Sequence, residues 1–493
     1  MRRHATLLWL GLPLLTCALF AALEMSLQVP ARLGDDWIYF HEFDSLPLLG
    51  SDGSGALTKN GTPADGLRFR PFCYAWLFVE RRLVPNFVWS HAIGILWIAL
   101  GGIALASWLV TLGIDRMRAG IAGTIFVLHP AQVEVWGWAS ARIDTMAMAM
   151  ALFGLTALAA RKPKRIVAFV LFACAYGSKE SAYPLAMFAP LVPLLRGLRV
   201  RRAIEDAAIS LSALVAMFVT KGLVLGSAFA GSWTSALREI PLWMHVRGWL
   251  ADLHVLLVDP HSTAAPFGHV WAAFWFGVLV LAITTPLAVL ATTSRLRQRR
   301  MLRTWRSRAP IHALMAIGFV LTIAVSFGVG VRPDLAGGCL WYLPSAFVCA
   351  SIAIWSPRVL MAVWIATGAV LLHENLAPYR EASKIMTTVE ERLTREVSNP
   401  RAAIRIDSLP KEHGPVPLFF LMAELWTFGR DDLAPDTDAT RPSGYPRVFL
   451  TWTSPSEPRD LTAIDAIWSE EMQRRGHDIV HLTYQNGELV ERR

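Results

Sequence analysis

Two adjacent carboxylates, Asp35 and Asp36, follow the first apolar stretch of the chain, within "RLGDDWIYFHEFD" (residues 32–44). A carboxylate placed here can act as a general base that takes the proton of an acceptor hydroxyl. Two neighbouring carboxylates can also share a divalent cation such as Mg²⁺ or Mn²⁺, which prefers oxygen ligands. The alternative is an acidic cap at the start of a helix. We therefore take Asp35 or Asp36 as the candidate base, and the pair as a candidate metal site.

Seven further ionisable residues lie at or near the ends of apolar segments, where charges are unfavourable unless they are paired, hydrated or functional. Four of them can bind a phosphate, because arginine offers a planar fork of donors and lysine a point charge. These candidates are Arg70, His129, Arg142 and Lys179. The other three are candidates for orienting those cations or for helping to bind the metal, namely Glu134, Asp144 and Glu180. The alternatives are interfacial anchoring for the cations, a helix cap for the histidine and structural salt bridges for the acids.

The composition indicates a membrane protein with several spans. Of 493 residues, 54% are hydrophobic and 17% are charged, against about 25% charged in a typical soluble domain. The mean hydropathy is +0.41, and the 20 Trp suit membrane interfaces. The net charge of +9 resides in the apolar part, because the residues from 376 onward hold 15 Lys/Arg against 19 Asp/Glu. The charge therefore indicates membrane topology, and we expect no nucleic-acid partner.

Hydropathy predicts eleven transmembrane helices, each near the length of about 20 residues that a bilayer requires. They are 5–27, 87–112, 119–139, 143–160, 165–178, 181–195, 203–225, 268–293, 310–331, 339–355 and 358–375. With this number, the basic clusters at 115–118, 161–165, 196–202 and 295–308 all fall on one face, which the positive-inside rule makes cytoplasmic. The N-terminus is then cytoplasmic. The loops 28–86 and 226–267 and the C-terminal tail lie on the other face.

The chain divides into a membrane module, 1–375, and a tail, 376–493, that is long enough for a small core. The tail begins with a helical pattern and contains a strand-like "RVFLTW" and a hairpin signal at Asn486–Gly487. The expected fold is thus an all-α polytopic membrane protein with a small α/β extracytoplasmic domain. The five cysteines form no CxxC pattern, so we expect no zinc site or disulfide framework.

Several stretches of the chain resemble one known family in both order and spacing. These are "DDW", "FRPFCYAWLFVERRLVPNFVWSHAIGILWIALGG" (69–102), "FVLHPAQVEVWGWASARIDTMAMAMALFGL" (126–155), "YGSKESAYPLAMFAPL" (176–191) and, more weakly, "GCLWYLPS" (338–345). They resemble the transmembrane O-mannosyltransferases with tetratricopeptide repeats and their bacterial relatives, which have the type-C (GT-C) glycosyltransferase fold. Two departures are visible. The tail shows no period of about 34 residues, and Cys339 stands where the family has arginine.

The resemblance implies an integral-membrane hexosyltransferase that is similar to a mannosyltransferase. Its donor would be a sugar on a polyprenyl phosphate, and its acceptor an extracytoplasmic protein hydroxyl or a glycan or lipid of the cell envelope. Transfer would invert the anomeric carbon, with Asp35 or Asp36 as base and the basic residues at the phosphate. A composition rich in Ala, Arg and Trp favours a bacterial inner membrane with a periplasmic tail domain.

Two other classes of protein remain as alternatives. A transporter or lipid flippase would show inverted repeats and charges at the bilayer midplane, whereas these charges lie towards one face and no repeat is visible. A non-catalytic membrane scaffold of the same fold would not need the acidic pair.

Overall fold

The three-dimensional structure is a computed structural model. It describes residues 2–31, 33, 36, 69–84, 86–225, 310–322, 342–397, 399, 401–410, 412–413, 416–418, 448–453, 469–470, 472–474, 476–485 and 488–491. Asp35, most of the loop 28–86, the whole loop 226–267, Cys339 and the predicted span 268–293 lie outside these residues.

We number the described helices in chain order. They are α1 (Arg2–Leu27), α2 (Pro71–Leu83), α3 (Phe87–Thr111), α4 (Arg116–Val127), α5 (Val133–Gly137), α6 (Arg142–Ala159), α7 (Arg165–Tyr176), α8 (Leu185–Phe188), α9 (Leu191–Leu195), α10 (Val200–Leu225), α11 (Pro310–Thr322), α12 (Tyr342–Trp355), α13 (Arg358–Asn375) and α14 (Ala377–Val397). Short 3₁₀ turns precede α5, α6 and α8, at Pro130–Gln132, Ala139–Ala141 and Glu180–Ala182.

The described residues form a helical, membrane-embedded protein. Five segments are long and apolar enough to cross a bilayer, namely Trp9–Leu27, Phe87–Thr111, Ala139–Ala159, Val200–Val224 and Arg358–Leu393. Three shorter apolar helices, α7, α11 and α12, accompany them. Large apolar side chains such as Leu19 and Leu223 are exposed on these helices, as expected of surfaces that face lipid. The full count of eleven spans stays a prediction.

The predicted span 119–139 is divided in the structure. Helix α4 ends at Val127, and His129 has extended backbone angles because Pro130 disfavours the helical conformation in the residue before it. The chain then makes a 3₁₀ turn and the short α5 before α6 begins. The stretch 165–195 is divided between its two predicted spans, 165–178 and 181–195: α7 ends at Tyr176, just before Lys179. These interruptions fall at the two segments that carry candidate site residues.

Glycines allow the central helices to pack closely. A Cβ added to Gly123 of α4 would lie 2.5 Å from the carbonyl oxygen of Gly102 of α3, and one added to Gly120 would lie 2.4 Å from the carbonyl oxygen of Trp9. Small residues of this kind bring helix backbones together in membranes, where packing replaces the hydrophobic driving force. Helices α1, α3 and α4 therefore form a tight centre against which α6 packs.

Successive helices run in opposite directions, so the bundle has two distinct ends. At one end α1, α4 and α7 finish while α3 and α6 begin. The other end carries basic residues. There Asp115 caps α4 by accepting the Arg118 amide, and the Arg118 guanidinium donates to the carbonyl oxygens of Ala353 and Ile354 at 2.8 Å. We call this second end the basic end.

The tail is an α/β unit, as predicted. After α14, the strands β1 (Ala402–Pro410), β2 (Glu412–His413), β3 (Val416–Pro417), β4 (Val448–Thr453), β5 (Asp478–Gln485) and β6 (Glu488–Glu491) follow. The main sheet has the order β4-β1-β5-β6, in which β1 is parallel to β4 and β5. Strands β5 and β6 pair antiparallel on either side of Asn486–Gly487, so the hairpin prediction is confirmed.

Helix α14 lies against the end of the bundle opposite to the basic end. The Glu24 carboxylate of α1 accepts from Arg380 at 2.7 Å, and the Ala31 amide donates to the Ser383 hydroxyl at 3.3 Å. Strand β1 then runs back along α14, because His413, shortly after β1, contacts Glu381 at 2.8 Å. The carboxyl ends of the three parallel strands therefore point towards this end of the bundle.

Candidate active site

A fully buried ion pair joins α2 to α6. Pro71 at the first position starts α2, and Glu80, on its inner face, meets the Nη1 of Arg142, the first residue of α6. The Arg142 Nε donates to the carbonyl oxygen of Ala139 at 2.7 Å, and Nη1 also approaches the Ser90 hydroxyl at 3.2 Å. Two charges buried in this way lose their hydration, so each charge needs the other to compensate for that loss. Sequence analysis predicted Arg142 and missed Glu80 and Ser90.

A second pair forms between Lys179 and Asp144, two residues that the sequence analysis predicted. Their Nζ and Oδ2 atoms are 2.5 Å apart, and the Ser181 hydroxyl approaches the other carboxylate oxygen at 3.4 Å. The extended backbone of Lys179 after α7 turns its side chain towards the start of α6. Asp144 is buried, whereas Lys179 remains 16% exposed. The predicted orienting role of Asp144 thus has a partner in the structure.

A third pair links Arg70 and Glu180. The Arg70 Nε and Nη2 both donate to one oxygen of Glu180, at 3.2 and 2.9 Å. The Phe72 amide holds the two segments together by donating to the carbonyl oxygen of Gly177 at 3.0 Å. Burial opposes ionisation of Glu180, but the charges and hydrogen bonds of Arg70, with Lys179 nearby, outweigh it and hold its pKa below the usual value. Arg70 stays 12% exposed.

These three pairs belong to one region, at the end of the bundle opposite to the basic end. The charges of Arg70, Arg142, Lys179 and Asp144 all act on the buried thiol of Cys73, which lies among them. We call the six paired side chains the ion-pair cluster, and this end of the bundle the cluster end. Of the predicted phosphate-binding cations, Arg70 and Lys179 reach an accessible surface, whereas Arg142 is enclosed by its partners.

Asp36 lies beside the cluster and is fully buried. Its Oδ2 accepts from the Leu33 amide at 3.2 Å and its Oδ1 from the Ser140 amide at 2.6 Å. Burial raises the pKa of Asp36 to about 7, although the Leu33 hydrogen bond, the Arg142 charge and the Ser140 contacts oppose this rise. A carboxyl group with such a pKa exchanges its proton near neutral pH. Its contacts join Leu33 to Ser140, just before α6, whereas Asp35 lies outside the described residues.

His129 and Glu134 are both buried near these elements. The Nδ1 of His129 accepts from the Ala131 amide at 3.2 Å and caps the 3₁₀ turn, so the capping alternative is seen. Burial lowers the pKa of His129 to about 4, which keeps the ring neutral, and its Nε2 has no hydrogen-bond partner in the described part of the chain. The phosphate-binding role of His129 and the orienting role of Glu134 stay predictions.

The described residues do not by themselves form a metal site. No group of three or more His, Cys, Asp or Glu side chains within the described ranges could hold a metal ion. Both oxygens of Asp36 already accept amide hydrogens. The divalent cation predicted for Asp35 and Asp36 stays a prediction, and the chemistry below is argued from the side chains alone.

The stretches that carry the family resemblance contact one another. Arg70 belongs to the first and pairs with Glu180 of the third, while Asp144 of the second pairs with Lys179 of the third. Gln132 of the second stretch donates at 2.7 Å to Ser345 of "GCLWYLPS". The chain matches no protein-family model, no curated protein and no solved structure at a significant level. The resemblance therefore stays a prediction, and the function is argued from the residues.

Proposed function

We propose that the protein is an integral-membrane glycosyltransferase. It transfers a sugar from a polyprenyl-phosphate donor to a hydroxyl of an extracytoplasmic acceptor, with inversion, at the cluster end of the bundle. The acceptor is a protein or a glycan or lipid of the cell envelope, and the membrane is the bacterial inner membrane, with the tail domain in the periplasm.

One observation carries this proposal: three ion pairs and a buried carboxyl group meet at one end of an apolar helical bundle. Each pair joins segments that are distant in sequence, and all are buried or half-buried. A surface ion pair loses little hydration free energy when it forms. Buried charges in a membrane protein lose much more, and they typically mark a functional site. The combination of cations and a carboxyl group suits a reaction that releases an anion and a proton.

The cations serve the leaving group. During transfer the acceptor oxygen bonds to the anomeric carbon of the sugar, and the bond between that carbon and the phosphate oxygen breaks. The polyprenyl phosphate leaves with the electron pair, so negative charge grows on its oxygens. Arg70 and Lys179, the two half-buried cations, stabilise this charge, and such preorganised stabilisation is often the largest contribution to catalysis. Arg142 positions Glu80 and the start of α6.

A carboxylate of the Asp35–Asp36 pair takes the proton of the acceptor hydroxyl. An inverting transfer needs one enzymic base near the sugar, because the acceptor takes the place of the attacking water. Asp36 has a pKa matched to neutral pH. Its alternative role is to hold the loop for Asp35 through the Leu33 and Ser140 amides.

The tail domain supports acceptor binding. Ligands of open parallel sheets bind outside the carboxyl ends of the strands, near the point where the strand order reverses. Here β1 has one parallel neighbour on each side, and its carboxyl end points towards the cluster end. An acceptor held between this sheet edge and the bundle would lie next to the ion-pair cluster.

The test is transfer of radiolabelled mannose from polyprenyl phosphate by the purified full-length protein, with cell-envelope extract as the acceptor source. We compare wild type with Asp35→Asn and Asp36→Asn, and expect the variant that lacks the base to lose about 10²- to 10⁴-fold in rate. Asp115→Asn is the matched control, because asparagine also caps helices and Asp115 lies at the basic end. Equal turnover in all four proteins would refute the base assignment.

A further inference from the structure

Lys221 is a buried cation at the cluster end that the sequence analysis did not single out. It lies four residues before the end of α10 and is only 8% exposed. Phe218, almost one turn earlier on α10, packs against Tyr183, three residues after Glu180, so Lys221 lies on the part of α10 next to the third ion pair. The charges of Glu180 and Arg70 also act on its ammonium group. Its position near the end of a long apolar helix reads in sequence as interfacial anchoring, so the pattern alone hides it.

The side chain of Lys221 faces the interior of the bundle. One turn earlier on the same face, Met217 lies 3.5 Å from the position of a Cβ on Gly177, and the Phe218 ring packs against Tyr183 at 5.5 Å. On the other face of α10, Val219 and Leu223 are exposed. Most of the Lys221 side chain is therefore covered, on the side of α10 opposite to its exposed apolar surface.

Within the described ranges, no carboxylate forms an ion pair with Lys221. Lys221 forms no hydrogen bond or ion pair with the part of the chain that the structure describes. Glu180, whose charge acts on Lys221, already accepts two hydrogen bonds from Arg70. Buried lysines are rarely left without a counter-charge, because their hydration is lost without compensation. A largely buried lysine that forms no ion pair within the described residues, on the helix that packs beside Arg70 and Glu180, is suited to binding an anion.

We propose that Lys221 and Arg70 together bind the phosphate group of a lipid-linked substrate that reaches the site from the membrane. This inference rests on the proposed function and adds to it a residue outside the recognised motifs. The lysine supplies a point charge. The Arg70 guanidinium supplies directed hydrogen bonds to the phosphate, either in place of its bonds to Glu180 or in addition to them. The lipid tail would then extend along the apolar surface of α10.

Binding tests this proposal separately from transfer. The probe is undecaprenyl phosphate, measured by native mass spectrometry on the purified full-length protein. We expect Lys221→Met to weaken binding at least tenfold, Lys221→Arg to retain binding within about threefold, and Lys162→Met, an exposed lysine at the basic end, to match wild type. Methionine preserves the apolar length of the side chain, and a thermal unfolding measurement confirms that each variant is folded.

Two further binding measurements distinguish a lipid-linked phosphate from free phosphate as the ligand. Undecaprenol, which lacks the phosphate, should bind weakly and equally to wild type and Lys221→Met. Inorganic phosphate at millimolar concentration should not displace the lipid; displacement would show a site for free phosphate and overturn the lipid-linked assignment. Equal binding of undecaprenyl phosphate to wild type and Lys221→Met would overturn the role of Lys221, even if transfer is observed. Lysine-dependent binding without transfer of any sugar would support this site while refuting the proposed function.

Discussion

The two ends of the helical bundle handle charge in opposite ways. At the basic end, Arg201 of α10 and Arg165 of α7 both pair with Glu205 and are 87% and 48% exposed, and Arg202 pairs with Asp206 one turn along the same helix. At the cluster end, each pair joins different helices or loops and is largely removed from solvent. Local exposed pairs contribute little and need no function to explain them. Buried pairs between distant segments cost desolvation, so the contrast supports the proposed site at the cluster end.

The largest expected effect is on the fully buried pair. Glu80→Leu leaves the Arg142 guanidinium without its counter-charge, and we expect it to reduce the free energy of unfolding by about 3–5 kcal/mol. The double variant Glu80→Leu/Arg142→Leu removes both charges and should recover most of that loss. Reversible unfolding in mixed detergent measures both. A single variant as stable as wild type would contradict the burial of this pair.

The pH dependence of transfer separates the two candidate bases. If Asp36 is the base, transfer requires its deprotonated form, so the rate should rise with pH until about 7 and fall about tenfold for each unit below it. If Asp35 is the base and has an ordinary carboxyl pKa, the rate should instead rise near pH 4. The pH profile of the transfer rate at saturating donor, measured in wild type and Asp36→Asn, decides between them.

Protonation of Asp36 also affects stability in a defined direction. Between about pH 4 and 7 the folded protein retains a proton that the unfolded chain has lost, so its stability falls as pH rises through this window. The Asp36→Asn variant removes this dependence.

The smallest effect is expected at the basic end. Arg201→Ala removes an exposed pair with Glu205 within α10, and we expect a change in stability below about 0.5 kcal/mol. The same unfolding measurement as for Glu80→Leu checks it. A loss comparable to that of Glu80→Leu would erase the contrast between the two ends.

Much of the membrane module could be predicted from sequence, because apolar length and basic clusters determine where helices cross and turn. The break before Lys179 was predicted, because charged residues interrupt the apolar run there, whereas the break at Pro130 was missed within the predicted span 119–139. That the candidate residues lie towards one end also followed from their positions at helix ends. The strand β4 and the β5–β6 hairpin followed from local patterns.

The pairing of individual side chains could not be predicted. Glu80 lies in "FVERRL", where an acid beside two arginines reads as a surface charge run, yet its position on the inner face of α2 buries it against Arg142. Lys221 was hidden because interior and interface positions near a helix end look alike in sequence. The Ser140 amide that holds Asp36 is a backbone donor, which leaves no signature in residue type.

The most direct test of the central claim compares one cation from each end in the transfer assay. Arg70→Gln removes a charge from the ion-pair cluster, whereas Arg165→Gln removes one from the pair with Glu205 at the basic end. We predict that the transfer rate falls about 100-fold or more in Arg70→Gln and changes less than about twofold in Arg165→Gln. Equal rates in the two variants would contradict sugar transfer at the cluster end.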